Sequence, residues 1–428
     1  MSASEAFSGG TLPFADPLTE IVSNSGRFAD ERPAASKVSV SVALNLQAVE
    51  KLRWIWKGWS RNPQTDFDYY LHRLKTDSTI LGPCVLTAYE DGLPKALLIG
   101  QIRKRKLFAT VSFMKIRGPE ARVLEIENGG LIGEESDAID RVLAMHLLRT
   151  AKSTGVDLVL FSRLPLQSEL CRELQQPRGL LVKGRVPDVF RYSVLPLNTN
   201  TEQRAPVFSG KHLRETRRKR RVLQHSFAGE VKFKCFSHPS ELDLGIQEAK
   251  AVSFKTWQYY LGQVSLDDSQ TENNLRFCAS QGWLRIYVMY LSDAPCAFLI
   301  GQLYRETFYC HHAGYDPNFA PFSVGSLLTA WAFEELAASG VREVDLGEGR
   351  QEHNRRLGCR VHEEGTLHVY LPTLRGIRLN IFFTLTQTVR TAGRKTVTEL
   401  RLNRLRKSWA EFLISRWRAR NRTEDLCA

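Results

Sequence analysis

The start of this 428-residue chain lacks the marks of an export signal: Met1 to Gly10 has neither a basic n-region nor an apolar h-region. No later stretch approaches eighteen uninterrupted apolar residues, so no membrane-spanning helix is expected. The eight cysteines, Cys84, Cys171, Cys235, Cys278, Cys296, Cys310, Cys359 and Cys427, contain no CxxC pair and no regular spacing. That pattern argues against structural zinc and for reduced thiols, which predicts a cytoplasmic protein without a metal. What is present is ordinary for a soluble globular chain: 43% apolar and 25% charged residues, in a length that allows two cores and some tails.

The net charge of +13 suggests an anionic partner until its distribution is examined. Arg375 to Arg422 holds thirteen Lys or Arg against Glu399 and Glu411, a balance of +11. The rest is therefore close to neutral, and the total says little about what its pockets bind.

The strongest internal signal is an echo. Ala96-Leu97-Leu98-Ile99-Gly100-Gln101-Ile102 returns 201 positions later as Ala297-Phe298-Leu299-Ile300-Gly301-Gln302-Leu303. Each copy follows a strand and a turn, so a hairpin is duplicated. Each half then has a helical stretch, roughly 137–153 and 325–339, followed by Gly-Val and a strand, from Gly155 or from Gly340. A repeat of this length is too long for a solenoid, and two similar α/β domains are expected.

The organisation predicted along the chain is a disordered arm over 1–42, an N-terminal domain over 43–200, a C-terminal domain over 205–375 and a basic amphipathic helical tail over 376–428. In the first domain Trp54, Trp56 and Trp59 lie on an aromatic helix and read as core anchors. Lys211 to Leu223 reads as a strongly basic helix, either a nucleic-acid patch or the solvated face of a domain's first helix. In the tail, Leu402, Leu405, Trp409, Phe412, Leu413 and Trp417 recur at three- and four-residue steps, flanked by Arg401, Arg404, Lys407, Arg416, Arg418 and Arg420. Such a helix either docks on the core or makes peripheral contact with the inner face of an anionic membrane.

The chemistry concentrates in Tyr315 to Leu328, a turn-rich loop leading from a strand into an apolar-faced helix. The first N–H groups of a helix have no intrahelical partner, and the macrodipole adds partial positive charge. Gly325 would let a phosphate approach the backbone. Ser323 or Ser326 as a simple N-cap explains the same residues equally well.

Residues Leu284 to Val369 resemble a GNAT-superfamily acetyltransferase family labelled cellulose-biosynthesis CelD-like. The matching features are the basic helix at Lys211 to Arg221, Trp257, Tyr315-Asp316-Pro317, Phe322-Ser323-Val324-Gly325, and Asp345-Leu346-Gly347-Glu348-Gly349. The likeness covers about 160 residues well and the first half only as a degenerate repeat. It implies an α/β (α+β) fold of two tandem GNAT-like domains, each a mixed twisted sheet flanked by helices, in an architecture like that of FemAB-type peptidyl transferases. Two positions depart from the pattern: the loop proline is Val324, and the lysine after the last motif is Asn354. If that lysine holds phosphate or acceptor, Arg355 or Arg356 must substitute, which paired guanidinium hydrogen bonds allow.

The resemblance further implies acetyl-CoA or another acyl-CoA as co-substrate, with its pyrophosphate on Phe322, Ser323, Val324, Gly325 and Ser326. The acceptor it implies is an amine or hydroxyl of a sugar, cell-envelope or polysaccharide precursor, with N-acetyl transfer foremost. The acceptor must lose a proton, and Glu348 at a strand's end is the preferred base, with His311 or His312 next. Regular alternation would put only one of those two histidines in the cleft. Two other readings stand beside this one: aminoacyl transfer from charged tRNA, the only version with a nucleic-acid partner, and a non-catalytic GNAT-like binding module.

Overall fold

The structure is a computed structural model that describes residues 38–111, 114–176, 184–198, 205–206, 210–227, 229–256, 259, 266, 268–348, 354 and 357–399. The first half runs β1 (Val38–Ala43), α1 (Leu46–Glu50), α2 (Arg53–Trp59), a 3-10 turn (Pro63–Thr65), α3 (Phe67–Thr76), β2 (Ile80–Glu90), β3 (Leu93–Val111) and β4 (Met114–Gly133). It continues with α4 (Asp137–Ser153), β5 (Leu158–Pro165), α5 (Glu169–Gln175) and β6 (Gly184–Asn198). The second half runs β7 (Ala205–Pro206), α6 (Gly210–Ser226), β8 (Val231–Phe236), a 3-10 turn (Pro239–Glu241), α7 (Leu242–Ser253), α8 (Ser269–Ser280), β9 (Leu284–Leu291) and β10 (Ala294–Tyr304). Then come β11 (Thr307–Tyr315), a 3-10 helix (Pro317–Phe322), α9 (Val324–Ala338), β12 (Glu343–Glu348), β13 (Arg360–Tyr370) and α10 (Leu374–Glu399).

The echo in the sequence is the pair of hairpins β2–β3 and β9–β10. Both turn through two residues with positive φ, Asp91 and Gly92 (50° and 80°) and Ser292 and Asp293 (49° and 63°). A two-residue turn of that hand matches the twist of the strands it joins, so the same hairpin closes twice. Each is followed by a third antiparallel strand, a helix and a parallel strand: β4, α4 and β5 in one half, β11, α9 and β12 in the other.

All these strands form one mixed sheet in the order β1-β2-β3-β4-β5-β13-β6-β12-β11-β10-β9-β8, with β7 paired to β6. The order reads alike from both ends. β6 and β13, the sixth strand of each repeat, are exchanged: β13 pairs with β5 of the first half, and β6 pairs with β12 of the second. The cores follow the exchange. Leu367, Val369 and Leu371 of β13 and its end pack with α4 and α5 of the first half, whereas Leu195 and Leu197 of β6 pack with α9 of the second. Each fully buried Leu or Val contributes roughly 1.5–3 kcal/mol, so neither half keeps a complete core without the other.

Two expectations change, and the basic helix takes a definite place. Residues 38–42 are not arm but most of the edge strand β1, paired antiparallel to β2. Of the three tryptophans only Trp56 is buried, its Nε1 donating to Thr65 O at 2.7 Å; Trp54 is 72% exposed and anchors nothing in the core. The basic helix α6 sets Thr216 and Leu223 inward, Leu223 in the second-half core, pairs Arg220 with Glu334 of α9 at 2.7 Å, and turns Arg217, Arg218 and Arg221 to solvent. The tail stripe from Leu402 to Trp417 lies outside the described residues.

Candidate active site

The second half opens where β11 and β12 part. Their parallel pairing covers only Thr307–Tyr309 against Glu343–Asp345, after which β11 runs on to Tyr315 and β12 to Glu348 without pairing to each other. A β-bulge falls at the same place: Ile300 opposes His312 and Gly301 opposes Cys310, leaving His311 as the extra residue. A bulge bends its strand and re-aims side chains. Regular alternation therefore does not govern the two histidines, whose ring centroids lie 6.5 Å apart. His311 is exposed to solvent, yet the protein around it desolvates the ring enough to push its pKa down to about 4, with His312 adding to the shift. Burial lowers His312 as well.

On the other side of the opening stands Glu348, the last residue of β12, exposed but with its carboxyl pushed up by desolvation and then by Asp188. The histidines and Glu348 thus flank one gap, just beyond the last paired residues Tyr309 and Asp345.

The loop from β11 to α9 closes the gap's end. Asp316 is buried, with Oδ1 accepting from Asn318 N at 2.9 Å and Oδ2 paired to Lys255 at 3.1 Å, so the Asp-Pro pair of the sequence motif is a structural pin. The 3-10 helix ends at Ser323, which adopts a left-handed conformation (φ 57°, ψ 37°) and makes no side-chain capping hydrogen bond to α9. A non-glycine residue held there is strained, and the first-turn amides are left without the usual hydroxyl cap. Ser323 as a simple N-cap is thereby excluded. A Cβ on Gly325 would lie 3.1 Å from Cδ1 of Tyr315, so the absence of a side chain lets loop and strand end approach closely. A close, uncapped helix start of this kind fits a pyrophosphate, and the residues implied as its holders, Phe322, Ser323, Val324, Gly325 and Ser326, are contiguous there. Arg355 and Arg356 lie outside the described residues, as does Trp257. Asn354, in the lysine position, is buried with Nδ2 lacking a hydrogen-bond partner, while its carbonyl accepts from Leu357 N and Cys359 N at 3.1 and 3.2 Å.

Sequence reasoning did not single out Arg163. Arg163 of β5 spans the exchanged strands: it bonds Glu364 of β13 at 2.5 Å, lies 3.7 Å over the ring of Tyr192 on β6 and reaches Asp345 of β12 at 3.8 Å. Asp345 also accepts from Gly347 N at 2.7 Å, which fixes the end of β12 beneath Glu348. The repeat offers the signal: with Gly155 aligned to Gly340, Arg163 falls on Glu348. The two residues are counterparts at the centre of one sheet.

In the first half the corresponding parting of strands is filled. Its β4 pairs in parallel with β5 only over Val123–Ile126, and directly beyond that point Glu127 is buried against Arg73 at 2.5 Å. Glu125 is taken by Arg103 and Arg105, at 3.0 and 2.7 Å. Only Glu134, Glu135 and Ser136 join β4 to α4, in place of the loop that precedes α9, and Asp137 and Asp140 open that helix. Among the described residues no group of three or more His, Cys, Asp or Glu could hold a metal ion. A cavity of about 540 Å³ lies away from this chemistry between α7 and α8, where Arg276 is paired with Asp243 and Glu272.

Residues 210–355 match the family model described as an acetyltransferase (GNAT) domain. Solved structures similar in overall fold include FemX, at 10% identity over 76% of this chain and 96% of that one with a TM-score of 0.49. Another is L-PGS from Bacillus licheniformis, at 15% identity over 78% and 99% with a TM-score of 0.43. A third is a tandem GNAT protein from the clavulanic acid biosynthesis pathway, at 10% identity over 78% and 100% with a TM-score of 0.42. No curated protein matches the chain.

Proposed function

We propose that the second half transfers an acyl group, acetyl in the first instance, from acyl-CoA to an amine or hydroxyl of a sugar or cell-envelope precursor, in the manner of the polysaccharide-biosynthesis family that the motifs resemble. The observation that carries this is the coincidence, inside the matched domain, of the bulged β11 parting from β12 with the uncapped start of α9 at a left-handed Ser323. When bound, acyl-CoA supplies a thioester whose carbonyl carbon is open to attack. The amides of Val324, Gly325 and Ser326 hold its phosphates, and Arg355 or Arg356 adds a guanidinium. The bulge frees β11 backbone from its ladder, so its N–H groups can stabilise the developing oxyanion. Glu348, with its carboxyl raised toward neutrality, takes the proton that the acceptor loses, and the Arg163–Asp345 contact orients the strand end on which it sits. His311 and His312, their pKa values lowered by desolvation, stand beside this gap.

Release of free CoA thiol from acetyl-CoA, measured across a panel of amino sugars, tests the reading. An acceptor-dependent release is expected. If acetyl-CoA is neither bound nor consumed while a charged tRNA supports transfer, the aminoacyl reading replaces this one; if neither donor is used, the domain is a binding module.

A further inference from the structure

The helix α10 has two unlike faces. One is seated on the first half: Leu379 is fully buried with Leu107, Ala121, Leu158 and Tyr370, Phe382 lies over Gly118, and Arg390 pairs with Asp188 at 2.7 Å. The other carries Leu374, Ile381, Leu385 and Val389, which are 83, 54, 62 and 58% exposed. At 100° per residue these four fall within one narrow stripe, and the exposed Arg378 lies inside it. No Asp or Glu occurs from Leu374 to Thr398.

A second element adjoins it. The β3–β4 hairpin extends beyond the rest of the sheet; its Leu107 and Gly118 face α10, so Phe108, 54% exposed and directly opposite Arg117, lies on its far side. Lys104, Lys106 and Arg117 are exposed on it. Glu120, bonded to Lys104, is also under the influence of Lys106 and Arg375, which places the start of α10 beside the hairpin's cations. Exposed large apolar side chains set beside Arg375 and Arg378, on a helix with no acidic residue before Glu399, match the chemistry of a lipid surface with anionic headgroups. The sequence continues the trend beyond residue 399, with eight Lys or Arg against three Asp or Glu in 400–428. Among the described residues no helix is long and apolar enough to cross a membrane, so the contact is one that lies on the surface.

We infer that the outer face of α10 forms a docking surface for an anionic bilayer, with Leu374, Ile381, Leu385 and Val389 entering the headgroup region and Arg375 and Arg378 binding the phosphates. This surface is independent of the acyl-transfer site, and its test reads no turnover. Full-length protein is sedimented with vesicles of phosphatidylglycerol and phosphatidylcholine, and with vesicles of phosphatidylcholine alone. Pelleting is expected with the first and not the second, and it should weaken as salt is raised. Leu385→Ser with Val389→Ser should lower partitioning about tenfold, and Arg375→Glu with Arg378→Glu at least as much. Both pairs point to solvent, so each variant should keep the parent melting curve by circular dichroism. The inference is overturned by no pelleting at low ionic strength, or by pelleting that neither variant weakens. It is equally overturned by light scattering that finds a dimer which the serine variant dissociates, because the stripe would then belong to a second copy.

Discussion

Two single residues hold different kinds of tension in the two halves of the sheet. In the first half, Glu127 is buried against Arg73, both far from solvent. Removing one partner leaves the other charge buried and unpaired, so Arg73→Met should cost about 3–5 kcal/mol in a urea unfolding experiment, more than its packing alone would suggest. Replacing both, Arg73→Met with Glu127→Leu, should recover most of that loss. In the second half, Glu348 has a carboxyl pushed above its ordinary range by desolvation, while His311 is pushed down to about 4. A base works when deprotonated. The acidic limb of the rate against pH should therefore fall above the usual carboxylate range of about 4.5, with activity lost as pH drops through it. Glu348→Gln should abolish that limb and lower kcat with little change in acyl-CoA affinity. A limb that survives in Glu348→Gln and vanishes in His311→Gln would transfer the role to the histidine.

At the scale of elements, the exchange of β6 and β13 makes a testable demand. Leu367 lies late in the chain but is fully buried in the first-half core. Leu367→Ala should cost about 2–5 kcal/mol, and amide exchange should quicken on α4 and β5 rather than near α9. Protection lost instead from the second half would contradict the exchange. This is also the level at which the sequence was most and least legible. The duplicated hairpin, the helices at 137–153 and 325–339 and the strands that follow them were readable because period, turn residues and Gly-Val punctuation recur in the same order. Nothing in the local pattern of Arg360 to Tyr370 tells β5 from β12 as its neighbour, since both edges offer the same backbone groups. The bulge at His311 was hidden for a similar reason: it is a property of the pairing with β10, not of β11 alone. Ser323 could be named as a candidate, but its left-handed φ is set by the 3-10 helix before it.

For the whole molecule, the continuous sheet and the shared cores predict that the halves unfold together. Calorimetry should show a single transition, and fragments 38–206 and 210–399 should each be unstable alone yet recover folded structure when mixed, because each carries the other's sixth strand. Two independent transitions would mean that the exchanged strands contribute little. The same asymmetry that gives one half an open gap and fills the other with Arg73 and Glu127 also predicts one donor site per chain, in the second half. Titration calorimetry of the full chain with acetyl-CoA, run beside Gly325→Ala and Gly325→Asp, tests this most directly. The predicted result is one molecule bound per chain, somewhat weaker in Gly325→Ala, where the exposed Tyr315 can yield to the added Cβ, and none in folded Gly325→Asp, where a carboxylate faces phosphate. Two molecules per chain, or undiminished affinity in folded Gly325→Asp, would contradict the placement of the acyl donor at the start of α9.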